Sequence, residues 1–129
     1  MIAIDRLDHL VLTVADLERT VTFYESVLGM TTTRDPGRPV SVHFGRQKIN
    51  LHQADRTFEP KALTPTPGSG DLCLITEHPL DDVVAHLDKH GVDIELGPVP
   101  RTGAIGPITS VYFRHPDRNL LEVSTYADS

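Results

Sequence analysis

Several residue types are scarce in this 129-residue sequence, and each scarcity excludes a class of protein. A single cysteine, Cys73, cannot form a disulfide within the chain, which is typical of a reducing compartment, so we expect a cytoplasmic protein. Only 12 Lys and Arg residues oppose 18 Asp and Glu residues, and this acidic balance excludes nucleic acid and membrane as expected partners. Aromatic residues make up 5% of the chain, and no apolar run has the length of a transmembrane helix. The composition is that of one globular domain and names no function.

The stretch from Leu7 to Leu17 predicts a strand that runs directly into a helix. Alternation places Leu10, Leu12 and Val14 on one face of the strand and His9 on the other. Asp16 has the residue type of a helix N-cap, and a stripe of apolar residues follows it at helical spacing as far as Gly29. We therefore expect a helix that covers the apolar face and leaves His9 on the opposite face.

The second half of the chain repeats the first half at an offset of 62 residues, which carries His9 to Asp71 and Gly29 to Gly91. Each half is predicted to contain a strand, a helix and three further strands. We predict an α+β fold in which two βαβββ modules form one curved, eight-stranded cup with the helices outside. Module one spans about 4–53, a linker spans 54–70, and module two spans about 71–127 of a single domain covering 1–129.

Side chains alternate between the two faces of each strand, and those on the face away from the helices are predicted to line the cup. Those with metal-binding side chains are His9, His52, Asp71 and Glu122. Imidazole and carboxylate groups that converge on a cavity suit a divalent cation such as Fe, Zn, Ni, Mn or Co. The alternative is that each inward histidine is a hydrogen-bonded core residue. An unpaired carboxylate in a cavity is costly, which makes Glu122 the stronger indication of a bound cation.

Three further residues are candidates for substrate binding. Asn50 shares the predicted cup face with His52, and Tyr112 shares it if Val111 faces the helix. Arg101 lies in a predicted glycine-containing loop that can approach a ligand closely, although a loop salt bridge explains it equally well. We assign no chemistry to the remaining residues of reactive type, which are expected at the surface or as an apolar filler: His78, His86, His90, His115 and Cys73.

Three segments, 7–14, 22–30 and 113–123, resemble the vicinal oxygen chelate superfamily, and the resemblance extends over residues 4–127. This superfamily includes glyoxalase I, fosfomycin-resistance enzymes, methylmalonyl-CoA epimerase, extradiol dioxygenases and bleomycin-resistance proteins. More narrowly, residues 48–52, 58–62 and 97–103 are similar to glyoxalase domain-containing protein five and to bacterial proteins labelled as virulence proteins. That group implies a glyoxalase-like domain without a settled reaction.

The resemblance carries the family's metal ligands over unevenly. His9 and Glu122 match the histidine and glutamate that members of the superfamily supply. Asp71 stands where a second histidine is usual, and Asn50 stands where glyoxalases have Glu or Gln. Ordinary glutathione-dependent glyoxalase activity is therefore not expected. Either Asp71 or His52 would be the third ligand, and the sequence leaves that choice open.

The resemblance implies three competing functions. The first is a metal-dependent lyase or isomerase that acts on a small molecule chelated through neighbouring oxygens, with Glu122 and Asp71 as catalytic residues. The second is an extradiol-type iron dioxygenase that uses His9, His52 and Glu122. The third is a metal-free protein that binds a small molecule, like the resistance members of the superfamily.

The linker predicts the assembly. Residues 54–70 contain three prolines and are long for a connection between neighbouring strands of one domain. Such a segment can let module one of one chain meet module two of a second chain. We therefore expect a homodimer whose cups are built from both chains, and the alternative is a cup within one chain.

Overall fold

Hydrogen bonding divides the eight strands between two four-stranded sheets, one in each half of the chain. The computed structural model describes residues 1–126, so Ala127, the predicted end of module two, lies outside the described residues. The first half contains β1 (His9–Val14), α1 (Leu17–Ser26), β2 (Thr31–Thr33), β3 (Val40–Phe44) and β4 (Gln47–Gln53). The second half contains β5 (Asp71–Ile75), α2 (Leu80–Lys89), β6 (Leu96–Thr102), β7 (Pro107–Arg114) and β8 (Leu120–Tyr126).

The two sheets have the same topology. Their strand orders are β1-β4-β3-β2 and β5-β8-β7-β6, and in each the first and last strands of the module pair in parallel while the other neighbours are antiparallel. The predicted α+β fold with two βαβββ modules is confirmed. The chain divides into two compact units, and the boundary along the sequence falls between Pro67 and Gly68. Neither helix of the described chain has the length and apolar character needed to cross a membrane.

The core of module one lies between α1 and one face of its sheet. The side chain of Asp16 accepts a hydrogen bond from the amide of Arg19 and caps the helix, as predicted. Val21 and Tyr24 of the helix are buried, as are the sheet residues of matching parity, which are Leu12, Val14, Val42, Ile49 and Leu51. Burying each of these side chains contributes about 1.5–3 kcal/mol, so this face fixes the orientation of the sheet.

Module two repeats this arrangement. Leu80 and Leu87 of α2 are buried, and the buried sheet residues of matching parity are Val111, Phe113, Leu121 and Val123; the buried Ile108 has the opposite parity. Gly91 after α2 has a φ of 70°, and Gly29 after α1 has a φ of 65°, so both helices end in a left-handed glycine. The repeat that was predicted from the offset of 62 residues is therefore visible in the backbone.

The sixth strand differs from its prediction. Arg101 was expected in a loop, but β6 begins at Leu96 and extends to Thr102, so Arg101 is a strand residue. Pro98 and Pro100 are tolerated because β6 is the edge strand of its sheet, where a missing amide donor costs little. The pairing with β7 shifts register between Leu96 and Val99, and Gly97 lies within that irregularity.

Two glycines with a positive φ provide a matched pair for a stability test. A Cβ atom at Gly97 would overlap the carbonyl oxygen of Ser110 and lie 3.0 Å from the Cα of Val111, whereas one at Gly29 would meet no atom within 4 Å. We expect Gly29→Ala to lower the free energy of unfolding by about 1–2 kcal/mol through backbone strain alone. Gly97→Ala should cost distinctly more, because β6 must also move away from β7. Urea unfolding measures both, and equal losses would contradict this account of β6.

Candidate functional site

The face of the second sheet that lies opposite α2 carries most of the predicted catalytic and substrate-binding residues. Strand register places Tyr112, Glu122 and Cys73 side by side on β7, β8 and β5. The adjacent row on one side contains Ser110, Ser124 and Ile75, and the row on the other side contains Arg114, Leu120 and Asp71. Because side chains alternate along a strand, these rows share one face, and the buried Val111, Phe113, Leu121 and Val123 occupy the other.

Glu122 is held by two serine hydroxyl groups. The Oγ of Ser110 donates to Oε2 of Glu122 at 2.5 Å, and the Oγ of Ser124 donates to the same oxygen at 3.3 Å. The two serine Oγ atoms are themselves 2.6 Å apart, and both serines are fully buried. Glu122 is half-buried rather than deeply buried. A carboxylate held in this way has a fixed orientation on the sheet face.

Cys73 is an exposed residue beside this network. Its Sγ lies 3.3 Å from the Oγ of Ser124. Desolvation of the sulfur raises the pKa of the Cys73 thiol, the hydrogen bond with Ser124 opposes this, and the negative charge of Glu122 raises it further. A thiol with a raised pKa is mostly protonated near neutral pH, and a protonated thiol is a poor nucleophile. The structure therefore gives Cys73 no activated character.

Asp71 and Glu122 are two carboxylates on neighbouring strands of one face. Asp71 is the exposed first residue of β5. Because Cys73 pairs with Glu122, Asp71 lies two residues away along the adjacent strand, with the two Cα atoms about 8 Å apart. The two residues are therefore diagonal neighbours on this face.

Arg101 and Tyr112 contact each other on the same sheet. The Nε of Arg101 donates to the hydroxyl oxygen of Tyr112 at 2.9 Å, and the guanidinium carbon lies 5.4 Å from the centre of the Tyr112 ring. Val111 and Phe113 are fully buried, which confirms that Tyr112 has the opposite parity. The two predicted substrate-binding residues of module two are therefore brought together.

His9 and His52 lie on the corresponding face of the first sheet but far apart. His9 is the exposed first residue of β1, and its Nδ1 is 2.8 Å from Oδ2 of Asp8. His52 is opposite Thr13, which is four residues along β1 from His9, a separation of about 13 Å along the strand. One ion on this face would therefore not be reached easily by both imidazoles.

Asn50 and His52 have buried polar atoms without partners. His52 is 4% exposed, and within residues 1–126 its Nδ1 and the Oδ1 of Asn50 have no hydrogen-bond partner. The ring of Phe58 lies 5.4 Å from the imidazole ring of His52, centre to centre. Desolvation lowers the pKa of His52, and the nearby positive charge of Lys61 lowers it further. His52 is therefore a neutral imidazole near neutral pH.

The predicted metal ligands do not form one cluster in the described chain. Within residues 1–126, His, Cys, Asp and Glu side chains make no group of three or more that could hold a metal ion. Asp71 and Glu122 share the face of module two, and His9 and His52 share the face of module one without meeting.

Several residues of these faces were missed or misjudged in the sequence. Ser110 and Ser124 have the same parity as Glu122, so the strand alternation contains the signal for them. Phe58 lies in the linker, where no periodicity marks it. His115 was expected at the surface but is 2% exposed, and its Nδ1 accepts a hydrogen bond from the amide of Asp117. The buried Asn119 lies beside it and accepts a hydrogen bond from the amide of Gly70 at 2.6 Å.

Duplicated βαβββ modules with polar residues opposite each helix are the architecture that glyoxalase-like proteins share. The model of the Glyoxalase/Bleomycin resistance protein/Dioxygenase superfamily matches residues 6–123, and the chain belongs to this superfamily.

Individual relatives agree with this membership. The chain is 54% identical over 123 residues to virulence protein STM3117 from Salmonella typhimurium, covering 95% of this chain and 85% of the relative. It is 48% identical over 128 residues to glyoxalase domain-containing protein RDO1 from Mycosarcoma maydis, covering 99% of this chain and 72% of the relative. The solved structure of an integron cassette protein from V. cholerae is similar with a TM-score of 0.95 and 54% identity, covering 98% of this chain and 99% of that one. The narrower resemblance to virulence and glyoxalase domain-containing proteins is thereby confirmed.

The lowered pKa of His52 predicts a contribution to the pH dependence of stability. Between the ordinary value of 6.5 and the lower value in the folded protein, the unfolded chain binds a proton that folded His52 does not. The stability that neutral His52 allows is therefore fully present above pH 6.5, and it is lost as the pH falls below 6.5 because only the unfolded chain then binds the proton. We expect the free energy of unfolding to decrease less between pH 7.5 and pH 5.5 in His52→Leu than in the wild type. Urea unfolding at both pH values tests this, and an identical decrease would show that His52 does not contribute.

Proposed function

We propose that this protein is an enzyme that moves a proton on a small, oxygen-rich substrate, in chemistry of the isomerase or lyase type. The observation that supports this best is the Glu122 carboxylate, with Oε2 fixed by the hydroxyl groups of Ser110 and Ser124. Oε1 is then the oxygen at which a substrate proton would be exchanged. A carboxylate positioned in this way is suited to general acid–base catalysis.

The other groups of the module-two face have proposed roles around Glu122. Asp71 is the second acid–base group, because its spacing from Glu122 lets one carboxylate remove a proton and the other return it at a neighbouring atom. Arg101 and Tyr112, joined by a hydrogen bond of 2.9 Å, would orient a substrate oxygen or a negative charge. All four residues belong to a single module.

A divalent cation is the cofactor that the superfamily suggests, with Fe, Zn, Ni, Mn and Co as the proposed ions. The candidate ligands are His9, His52, Asp71 and Glu122. The side chains grouped within residues 1–126 do not fit such an ion, because no three of the suitable types come together. We therefore assign no step of the reaction to a cation.

A metal-free binding protein is the second candidate function, and the same lack of a three-ligand group in residues 1–126 favours it. An extradiol-type iron dioxygenase is supported less well, because it would need His9 and His52 at one ion although they lie about 13 Å apart along the sheet.

Deuterium exchange tests the proposed proton transfer. The wild type is incubated in D₂O with a panel of 2-hydroxy and 2-oxo carbonyl compounds, with and without added Zn²⁺, Ni²⁺, Mn²⁺, Co²⁺ or Fe²⁺, and carbon-bound deuterium is followed by NMR. We expect Glu122→Gln to reduce exchange by about 10²-fold or more. Glu18→Gln is the control, because Glu18 is paired with Arg34 at 2.7 Å in module one and not on the module-two face. Equal exchange in Glu122→Gln and the wild type would overturn the role of Glu122, and binding without exchange would favour the binding protein.

Because no three-ligand group forms within residues 1–126 of one chain, a bound cation would need ligands from a second chain. A subunit-mixing experiment tests the predicted homodimer with such shared metal sites. If His9 of one chain and Glu122 of the other bind one ion, His9→Ala and Glu122→Ala should each abolish Zn²⁺ binding while the fold remains. Mixing the two variants after partial unfolding should then restore part of the Zn²⁺ capacity, since one site of each heterodimer is intact. Calorimetry measures the capacity. No recovery, with both variants folded and dimeric, would contradict shared sites, and intact binding in Glu122→Ala would contradict the ligand assignment.

A further inference from the structure

Two neighbouring side chains of β4 have buried hydrogen-bonding atoms that no described residue satisfies. These are the Oδ1 of Asn50 and the Nδ1 of His52, and His52 as a residue is only 4% exposed. They are two residues apart on one strand, so they lie on the same face about 7 Å apart along it. Buried polar groups in folded proteins are nearly always paired, which makes an adjacent unpaired couple informative.

The neighbours of this Asn50–His52 pair do not supply the missing partners. Asn50 lies between the apolar Val11 on β1 and Ser41 on β3. The Oγ of Ser41 is 3.1 Å from Nε2 of His43 and is engaged there. β4 pairs with β1 over Lys48–Gln53 and with β3 over Gln47–Leu51, so the backbone groups of Asn50 face a paired strand on both sides. The Oδ1 of Asn50 and the Nδ1 of His52 therefore stay without a hydrogen-bond partner although the sheet around them is formed.

The segment after β4 places an aromatic ring beside the pair. The amide of Ala54 donates to the carbonyl of Val14 at 2.8 Å, and Gln53 and Arg56 form a β-bridge, so the chain turns back on the module. The ring of Phe58 then lies 5.4 Å from that of His52 at an interplanar angle of 47°. Phe58 remains 38% exposed, which leaves apolar surface next to the polar pair.

The charges near the pair favour a neutral ligand group over an anion. Lys61 is the nearby cation, but its Nζ is 2.9 Å from Oε2 of Glu59 and is also 2.9 Å from the Oγ1 of Thr57. Its charge is therefore already balanced. Oδ1 of Asn50 can only accept a hydrogen bond, so the group that satisfies it must be a donor.

We infer that Asn50 and His52 bind a neutral group of a small-molecule ligand that donates a hydrogen bond, such as a hydroxyl or amide N–H, while the apolar body of the ligand contacts Phe58. The inference rests on the proposed small-molecule function, but it requires neither Glu122 nor a cation. An ordered water molecule in the same position is the competing explanation.

Paired substitutions distinguish a ligand site from a structural one. Asn50→Leu removes a buried acceptor that has no partner in the free protein, so we expect an unchanged or higher Tm. Asn119→Leu is the control, since the buried Oδ1 of Asn119 does have a partner: it accepts a hydrogen bond from the amide of Gly70 at 2.6 Å. Asn119 is fully buried whereas Asn50 is half-buried as a residue, and the Tm of Asn119→Leu should fall clearly. A comparable fall in Tm for Asn50→Leu would show that a structural water satisfies the amide and would overturn the inference.

Fragment binding tests the ligand chemistry directly. Three probes share the same ring. Phenol carries a neutral hydrogen-bond donor, toluene has no polar group, and benzoate is an anion. The side-chain ¹⁵N signals of His52 report binding by NMR. We expect phenol to bind on the order of tenfold more tightly than toluene or benzoate, because only phenol donates to Asn50 without bringing a charge. This preference should disappear in Asn50→Leu and in the second variant His52→Phe.

The outcomes separate this inference from the proposed enzyme. Glu122→Gln should keep the preference for phenol even though it loses deuterium exchange. If Asn50→Leu binds phenol as tightly as the wild type, or if the wild type shows no preference for phenol, the ligand site is wrong whatever the exchange experiment gives. If the preference is present but no substrate exchanges deuterium, the site stands and the enzymatic proposal fails.

Discussion

Parallel pairing of the first strand of each module with its last strand is the constraint on which both polar faces depend. Parallel neighbours need a long connection, and the helix with the two antiparallel strands after it provides that connection in each module. The pairing register places Asn50 and Glu122 at equivalent positions of their sheets. A slip of one residue would turn both side chains toward the helix and turn fully buried residues such as Ile49 and Leu121 away from it. The apolar core thus keeps the polar groups on the correct face.

The equivalent positions differ in how their polar atoms are satisfied. In module two, the hydroxyl groups of Ser110 and Ser124 both donate to Glu122, so the carboxylate is organised before any ligand arrives. In module one, the same two positions are Asn50 and His52, and their buried atoms have no partner within residues 1–126. A pre-oriented carboxylate suits a group that must react, whereas unpaired neutral groups suit a site that a ligand completes. The duplicated fold therefore provides one backbone for two kinds of polar surface.

Alternation, helix caps and the internal repeat were enough to predict the elements and the fold class. Asp16 caps α1, Gly29 and Gly91 follow the helices, and the offset of 62 residues carries the first strand and the helix of module one onto those of module two. Exposure was harder to predict, because parity assigns a face but not a depth. His115 is buried by its turn and by hydrogen bonds with residues that no periodicity links to it. Arg101 belongs to an edge strand that tolerates prolines, so its local sequence resembles a loop.

The unpaired atoms of module one have an energetic consequence for the free protein. Each unsatisfied buried group costs about 1–3 kcal/mol. Two such groups, on Asn50 and His52, then take a sizeable share of the roughly 5–15 kcal/mol by which a domain of this size is stable. A ligand that supplies both hydrogen bonds recovers this free energy only in the folded state, and binding to the folded state alone raises stability. The same two side chains therefore link the stability of module one to occupation of its polar face.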